Sequence, residues 1–149
     1  MVVSSPEEMK GVAEMLLARI GAEPTLHVVG LSGDLGAGKT TFVRELLAMI
    51  GVSDRATSPT FVVRKAYPVP ADSPLAPRFS LVSHVDAYRL NQPEDMGATG
   101  IASDAERTDV LLLVEWPERL AGALERMPGY LGTMQFEHVD EETRRVTLL

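Results

Sequence analysis

Between the apolar run "TLHVVGL" and the helix-forming run "TTFVRELLAMIG" the chain carries "GDLGAGKTTF", residues 33–42, with three glycines in six residues and then a lysine and two threonines. A flexible linker has no use for the lysine, and an ordinary strand-to-helix turn does not need so many glycines. Residues 33–40 satisfy G-x-x-x-x-G-K-[ST] in full, with an apolar strand before and an amphipathic helix after, as a phosphate-cradling loop requires. Glycine permits backbone angles and close approaches that a Cβ would block. The loop can then turn its N–H groups inward around phosphate oxygens, and the following helix aims its unpaired N–H groups and positive dipole end at the same anion. Gly33, Asp34, Leu35, Gly36, Ala37, Gly38, Lys39, Thr40 and Thr41 are therefore the expected nucleotide-binding residues. Lys39 brings charge to the outer phosphates, where catalysis would use it, and Thr40 offers a hydroxyl to Mg²⁺.

The remainder of the chain predicts an α/β class. "SSPEEMKGVAEMLLARIG" opens with Ser5 as a cap, Pro6 at the first helical position and Glu8 placed to close a capping box. Met9, Val12, Ala13, Leu16, Leu17 and Ile20 recur at helical spacing before Gly21, which predicts an amphipathic helix over Pro6–Ile20. Thr25–Leu31 and "VLLLVE" (Val110–Glu115) lack alternation, as strands covered on both faces do. Strands are also expected from about Phe61 to Tyr67 and Arg78 to Val85, paired antiparallel across the proline-rich "VPADSPLAP", and as a terminal pair around "VDEET". Short helices are expected after Pro93 and from Pro117. The expectation is one domain over residues 1–149, a P-loop NTPase with a mostly parallel central sheet, flanking helices and antiparallel hairpin additions.

A phosphate loop needs a partner carboxylate, because Mg²⁺ is usually held by one or two carboxylates together with phosphate oxygens and water. In this fold class that acid ends an apolar strand beside the loop. Glu115 ends "VLLLVE" and Asp86 ends "LVSHVD". One can help hold Mg²⁺, directly or through water, while the other orients the attacking water; the residues alone leave the assignment open. "TSPTF" adds hydroxyls at Thr57, Ser58 and Thr60 after the loop's helix, where a threonine can sense the metal or the terminal phosphate. His84, on a strand, reads as a satisfied core histidine, and the methionines as core filling.

Composition narrows the partners. The absence of cysteine excludes thiol catalysis, disulfides and cysteine-ligated zinc. No signal peptide is recognisable at "MVVSSPEEMK" and no apolar run approaches a membrane span, so a cytoplasmic location without a membrane partner is expected. The formal net charge of −7 argues against a chain that grips nucleic acid unaided. No Asn-Lys-x-Asp stretch is present to read guanine. A small-molecule or nucleotide kinase would share the loop, but it generally needs a lid of arginines that does not stand out here. A non-catalytic nucleotide-binding module would not need both Asp86 and Glu115.

"SGDLGAGKTTF", "SPTF", "HVDAYRL" and "VEWPER" occur in this order and at short separations. Together they resemble the bacterial TsaE family, formerly YjeE, over roughly residues 30–120. The resemblance implies an ATPase that binds ATP with Mg²⁺, hydrolyses it slowly, and acts with TsaB and TsaD in tRNA threonylcarbamoyladenosine biosynthesis, meeting tRNA through that complex. It also implies that Lys39 and Thr40 belong to the phosphate and Mg²⁺ site, that Glu115 is the second acidic motif, that Asp86 is the family's other functional acid, and that Thr60 lies in a switch-like loop. Trp116 is expected either near the nucleotide or a partner or stapling Pro117's helix, Tyr88 beneath the switch loop, and Arg89 and Arg119 either stabilising phosphate charge or, the favoured reading, in ion pairs. The proline-rich loop Pro68–Pro77 is longer than a tight family hairpin would need, and "MGATGIASDAERTD" is less acidic than the family pattern predicts.

Overall fold

The computed structural model describes residues 1–53, 63–92, 95, 97 and 99–149. Its strands are β1 (Val2–Val3), β2 (Val28–Ser32), β3 (Arg64–Pro68), β4 (Leu81–Asp86), β5 (Val110–Glu115), β6 (Tyr130–His138) and β7 (Arg144–Leu148), and its helices are α1 (Pro6–Ala22), α2 (Lys39–Met49) and α3 (Ile101–Glu106). The strands form one sheet in the order β1-β7-β6-β2-β5-β4-β3. Its centre is parallel: β2 lies between β6 and β5, and β5 between β2 and β4. Antiparallel strands finish both edges, β3 on β4 at one side and β7 with β1 at the other.

The period of two along each buried strand sorts side chains to two faces. Val29, Leu31, Val82, Leu111 and Leu113 point to the face covered by α1 and α2, where Leu16, Phe42, Val43 and Leu46 complete the larger core. Phe42 meets Phe136 of β6 with ring centroids 5.7 Å apart, seating α2 on the sheet. Val28, Val85, Leu112 and Val114 point the other way, to a smaller core closed by Ile101 and Ala105 of α3 with Leu120 and Leu124. Because β5 is buried on both faces along its whole length, its sequence could be apolar throughout.

Several boundaries differ from the sequence expectations for identifiable reasons. Gly21 does not stop α1; a Cβ there would meet nothing within 4 Å, and the helix runs on to Ala22. Glu8 does reach back, but to Ser4: its carboxylate accepts from Ser4 N at 2.5 Å and Ser4 Oγ at 3.0 Å, while Ser5 Oγ accepts from Glu8 N at 3.2 Å. β2 begins at Val28 rather than Thr25, and β4 at Leu81 rather than Arg78. β3 is described from Arg64 to Pro68, and the expected start at Phe61 lies outside the described residues, as does Pro93. No α-helix follows Trp116; two short 3₁₀ turns, Pro117–Leu120 and Leu124–Arg126, stand there instead. The break is at Ala121 and Gly122, with φ of 48° and 76°, a conformation no right-handed helix can pass through.

The proline-rich loop has packing work of its own. Phe79 is buried at 1% exposure, Leu75 packs against the larger core, and Arg78 donates to the carbonyls of Ile20, Pro24 and Leu26. These contacts explain a connection longer than a tight hairpin requires.

Candidate functional site

Parallel strands deliver their carboxyl ends to one edge of the sheet, where α/β folds bind ligands. At that edge the glycine-rich loop leaves β2, and Glu115 and Asp86 end β5 and β4 directly opposite one another. Between them lies a cavity of about 500 Å³ lined by residues 35–41 with Asp86, Tyr88, Glu115 and Trp116. That volume falls within the usual ~300–1,000 Å³ of small-molecule sites.

The loop needs its glycines. Gly33, Gly36 and Gly38 have φ of 142°, 76° and 104°, and a Cβ at Gly33 would lie 2.3 Å from the Phe136 carbonyl oxygen. The two long helices then contrast in their beginnings. α1 has the Ser5 cap and acidic Glu7 and Glu8 in its first turn. α2 has no side-chain cap and no acid in its first turn, and it places Lys39 there instead. A cation beside the positive end of a helix is unfavourable unless an anion faces both. The uncapped N–H groups and the lysine are together the donor set of a phosphate site.

Lys39 is only 5% exposed. Its Nζ donates to the carbonyls of Gly33 (2.5 Å) and Asp34 (2.9 Å) and sits 4.3 Å from the Trp116 ring centroid. Burial pushes its pKa below the ordinary lysine value, opposed by the charges of Glu115, Glu118, Asp86 and Asp34.

The two acids are buried side by side, Glu115 at 3% and Asp86 at 6% exposure. Glu115 Oε1 accepts from Thr40 Oγ1 at 3.0 Å, and Asp86 Oδ1 accepts from Tyr88 N at 2.9 Å. Two carboxylates and a hydroxyl suit a hard divalent cation. Among the described residues no group of three or more His, Cys, Asp or Glu side chains could hold a metal by itself. A cation here would need phosphate and water oxygens to complete its shell, so the donor set fits a metal that arrives with a nucleotide.

Trp116 lies at the cavity, with its backbone at φ 58° and ψ 50°. A bulky residue in that region is a true outlier, and such strain clusters at functional sites. Its ring meets Tyr88 at 5.0 Å, and the Arg119 guanidinium lies over Tyr88 at 5.2 Å. Arg119 is thus engaged by a ring, where the sequence favours an ion pair. Tyr88 is 48% exposed at the cavity mouth. Thr57, Ser58 and Thr60 lie outside the described residues.

Residues 3–146 match the family described as "Threonylcarbamoyl adenosine biosynthesis protein TsaE". The chain belongs to the TsaE family. It is 34% identical to the TsaE protein of Rickettsia bellii over 96% of this chain and 89% of that one. With the Haemophilus influenzae relative it shares 37% identity over 77% of this chain, spanning 66% of that protein's length. With the Streptomyces coelicolor relative it shares 43% identity over 61% of this chain, spanning 57% of that protein. All three carry the name "tRNA threonylcarbamoyladenosine biosynthesis protein TsaE". The fold is similar to the crystal structure of Bacillus subtilis YdiB, with a TM-score of 0.69, 26% identity, and coverage of 99% of this chain and 82% of that one. Among the described residues no helix is long and apolar enough to cross a membrane.

The structure therefore gathers the loop residues 35–41, Asp86 and Glu115 at one cavity, while Gly33 and Asp34 line a neighbouring one with Ser32 and Glu118. It also brings in a side chain that sequence reasoning sets aside. His84 is fully buried, and its Nε2 lies 2.8 Å from Glu115 Oε1. The available signal was a lone histidine on a largely apolar strand, two residues before an acid.

Proposed function

We propose that this chain is the Mg²⁺-dependent, ATP-binding and ATP-hydrolysing component of the tRNA N6-threonylcarbamoyladenosine machinery, acting in the cytoplasm with TsaB and TsaD. The observation that carries the reading is the Thr40–Glu115 hydrogen bond at the mouth of an uncapped helix. It joins the phosphate loop to the acid of the neighbouring strand.

In this reading the N–H groups of residues 33–41 surround the polyphosphate. Lys39 leaves the loop carbonyls for the outer phosphates, which return the stabilisation its buried charge lacks. Thr40 and Glu115 would hold Mg²⁺, whose charge neutralises the phosphate oxygens when it is bound. Asp86, opposite Glu115 in register, orients the attacking water, and Thr60 senses the terminal phosphate. Turnover by the chain alone is weak. Arg64 is bonded to Asp104, Arg78 to main-chain carbonyls and Arg107 to Asp109, so none of these three serves as an arginine finger in cis. An arginine from a partner can matter by orders of magnitude in such sites. The same three commitments weigh against the alternative of a small-molecule or nucleotide kinase, which needs arginines in a lid.

Calorimetry and phosphate release, with ATP against GTP and with or without TsaB and TsaD, test the reading. The expected result is Mg-ATP binding, preference for ATP, slow turnover alone and faster turnover with partners. Lys39→Ala should abolish binding or turnover, and normal turnover in that variant would remove the loop from the mechanism.

A further inference from the structure

We infer that His84 is a positioning residue that orients the Glu115 carboxylate from beneath the site; this rests on the reading of Glu115 as part of the Mg-ATP centre. His84 lies on the α1/α2 face of β4, paired across the ladder with Leu113. That places it diagonal to Glu115, the geometry in which long side chains of adjacent strands meet. Apart from Ser83, His84 and Asp86, the interior-facing residues of β4 and β5 are apolar up to Glu115.

The chain contains its own control. His27 is also buried, at 2% exposure, and both its ring nitrogens sit at backbone carbonyls, Thr25 O at 3.1 Å and Ala105 O at 3.0 Å. It ties chain segments together and touches no functional group. His84 is arranged differently. Its Nε2 meets Glu115 Oε1 at 2.8 Å, and among the described residues its Nδ1 has no hydrogen-bond partner. Donation to a carboxylate requires the proton on Nε2; Nδ1, an acceptor in the neutral ring and a second donor in the charged one, is left unpaired in either form. A buried polar atom without a partner costs free energy; an apolar side chain would avoid that cost. The imidazole is at this position for its one bond to Glu115.

That bond has a geometric consequence. Thr40 Oγ1 and His84 Nε2 both donate to Oε1 of Glu115, one from the first turn of α2 and the other from the neighbouring strand. Two donors on one oxygen fix the carboxylate plane, and among the described residues Oε2 takes no hydrogen bond. His84 thereby holds Glu115 ready before any ligand arrives. Groups behind a metal-binding or catalytic side chain commonly matter ~10–100-fold in affinity or activity.

The test compares His84→Gln, His84→Asn and His84→Leu in the full chain. The glutamine amide nitrogen reaches about as far as Nε2, whereas the asparagine amide stops near Nδ1. Trp116 is the one tryptophan in the chain and reports nucleotide binding by fluorescence, with EDTA or with titrated Mg²⁺; kcat and KM are measured with TsaB and TsaD present. For Asn and Leu, the expectation is metal-free ATP affinity within about 2-fold of wild type, with a 10–100-fold rise in the Mg²⁺ needed for half-saturation and a matching fall in kcat. His84→Gln should recover most of both. Should His84→Leu fail to fold, the Gln–Asn pair carries the test alone, because both are polar and differ in reach. Folded variants with wild-type Mg²⁺ dependence and kcat overturn the inference, as does an equal loss in Gln and Asn. A wild-type chain that neither binds nor hydrolyses Mg-ATP overturns the underlying reading as well.

Discussion

Among the described residues two non-glycines hold a positive φ, Ala121 and Trp116, and the bulkier is Trp116, at φ 58° next to Glu115. Sequence gives no warning of this, because tryptophan is among the residues least suited to that region and local propensity would place it elsewhere. What holds it is its surroundings: the ring is caught between Lys39 and Tyr88, and its N–H is bonded to Leu31 O at 3.1 Å. The strain and the ring can be separated experimentally. Both Trp116→Ala and Trp116→Gly remove the ring, but only glycine accepts a positive φ without a Cβ penalty. Chemical denaturation should find the glycine variant more stable than the alanine variant by about 1 kcal/mol, the reverse of their order in regular structure. Alanine proving the more stable would mean that the backbone relaxes once the ring is gone.

At the scale of elements, the sequence showed what repeats and hid what depends on distant partners. β5, β6, β7, α1 and α2 were legible because each carries an apolar periodicity or an unbroken apolar run. β1 was not, since two residues earn strand geometry only by pairing with Arg144 and Arg145 of β7. The helix expected from Pro117 failed on left-handed backbone at Ala121. Arg78 shows the same limit, because its partners are 52 to 58 residues away. Arg78→Met keeps an apolar stem over Phe79 but strands the carbonyls at the end of α1 and the entry to β2. A loss of about 1–3 kcal/mol in denaturant unfolding is expected. A smaller tie joins β4 to the turn before β5: Asp109 accepts from Arg107 and from Ser80 Oγ, which lowers its pKa to about 2 from 3.8. A carboxylate with a depressed folded-state pKa adds stability above its unfolded value and loses it as pH falls through the folded one. Asp109→Asn should therefore lower Tm slightly at neutral pH, with the difference shrinking as pH falls below about 3.8 and gone only once pH is well below about 2. A Tm difference that persists well below about pH 2 would point to a contact independent of charge.

For the whole molecule, the loop and both acids were legible because each is a motif residue at a strand end, where parallel topology brings them together. The His84–Glu115 bond was not, since it depends on the register between β4 and β5. Net charge is the property that acts at this largest scale. The chain carries 14 basic and 21 acidic residues, and four of the basic ones already face acidic side chains: Arg44 with Glu45, Arg64 with Asp104, Arg107 with Asp109 and Arg145 with Glu137. Protein–nucleic acid affinity comes mainly from releasing counterions as cationic side chains meet phosphates, and even non-specific binders reach Kd of about 10⁻⁴–10⁻⁶ M that way. An acidic surface with internally paired arginines has little to offer such a contact. If the chain serves tRNA modification as proposed, its partners must hold the tRNA while it contributes the nucleotide cycle. Fluorescence anisotropy of labelled tRNA at ~0.15 M salt should stay flat with this chain alone up to about 10 μM, with or without Mg-ATP, and should rise when TsaB and TsaD are added. Salt-sensitive binding by the isolated chain, weakening steeply between ~50 and ~200 mM salt, would reveal a basic contact surface of its own and would give it a direct hold on the RNA.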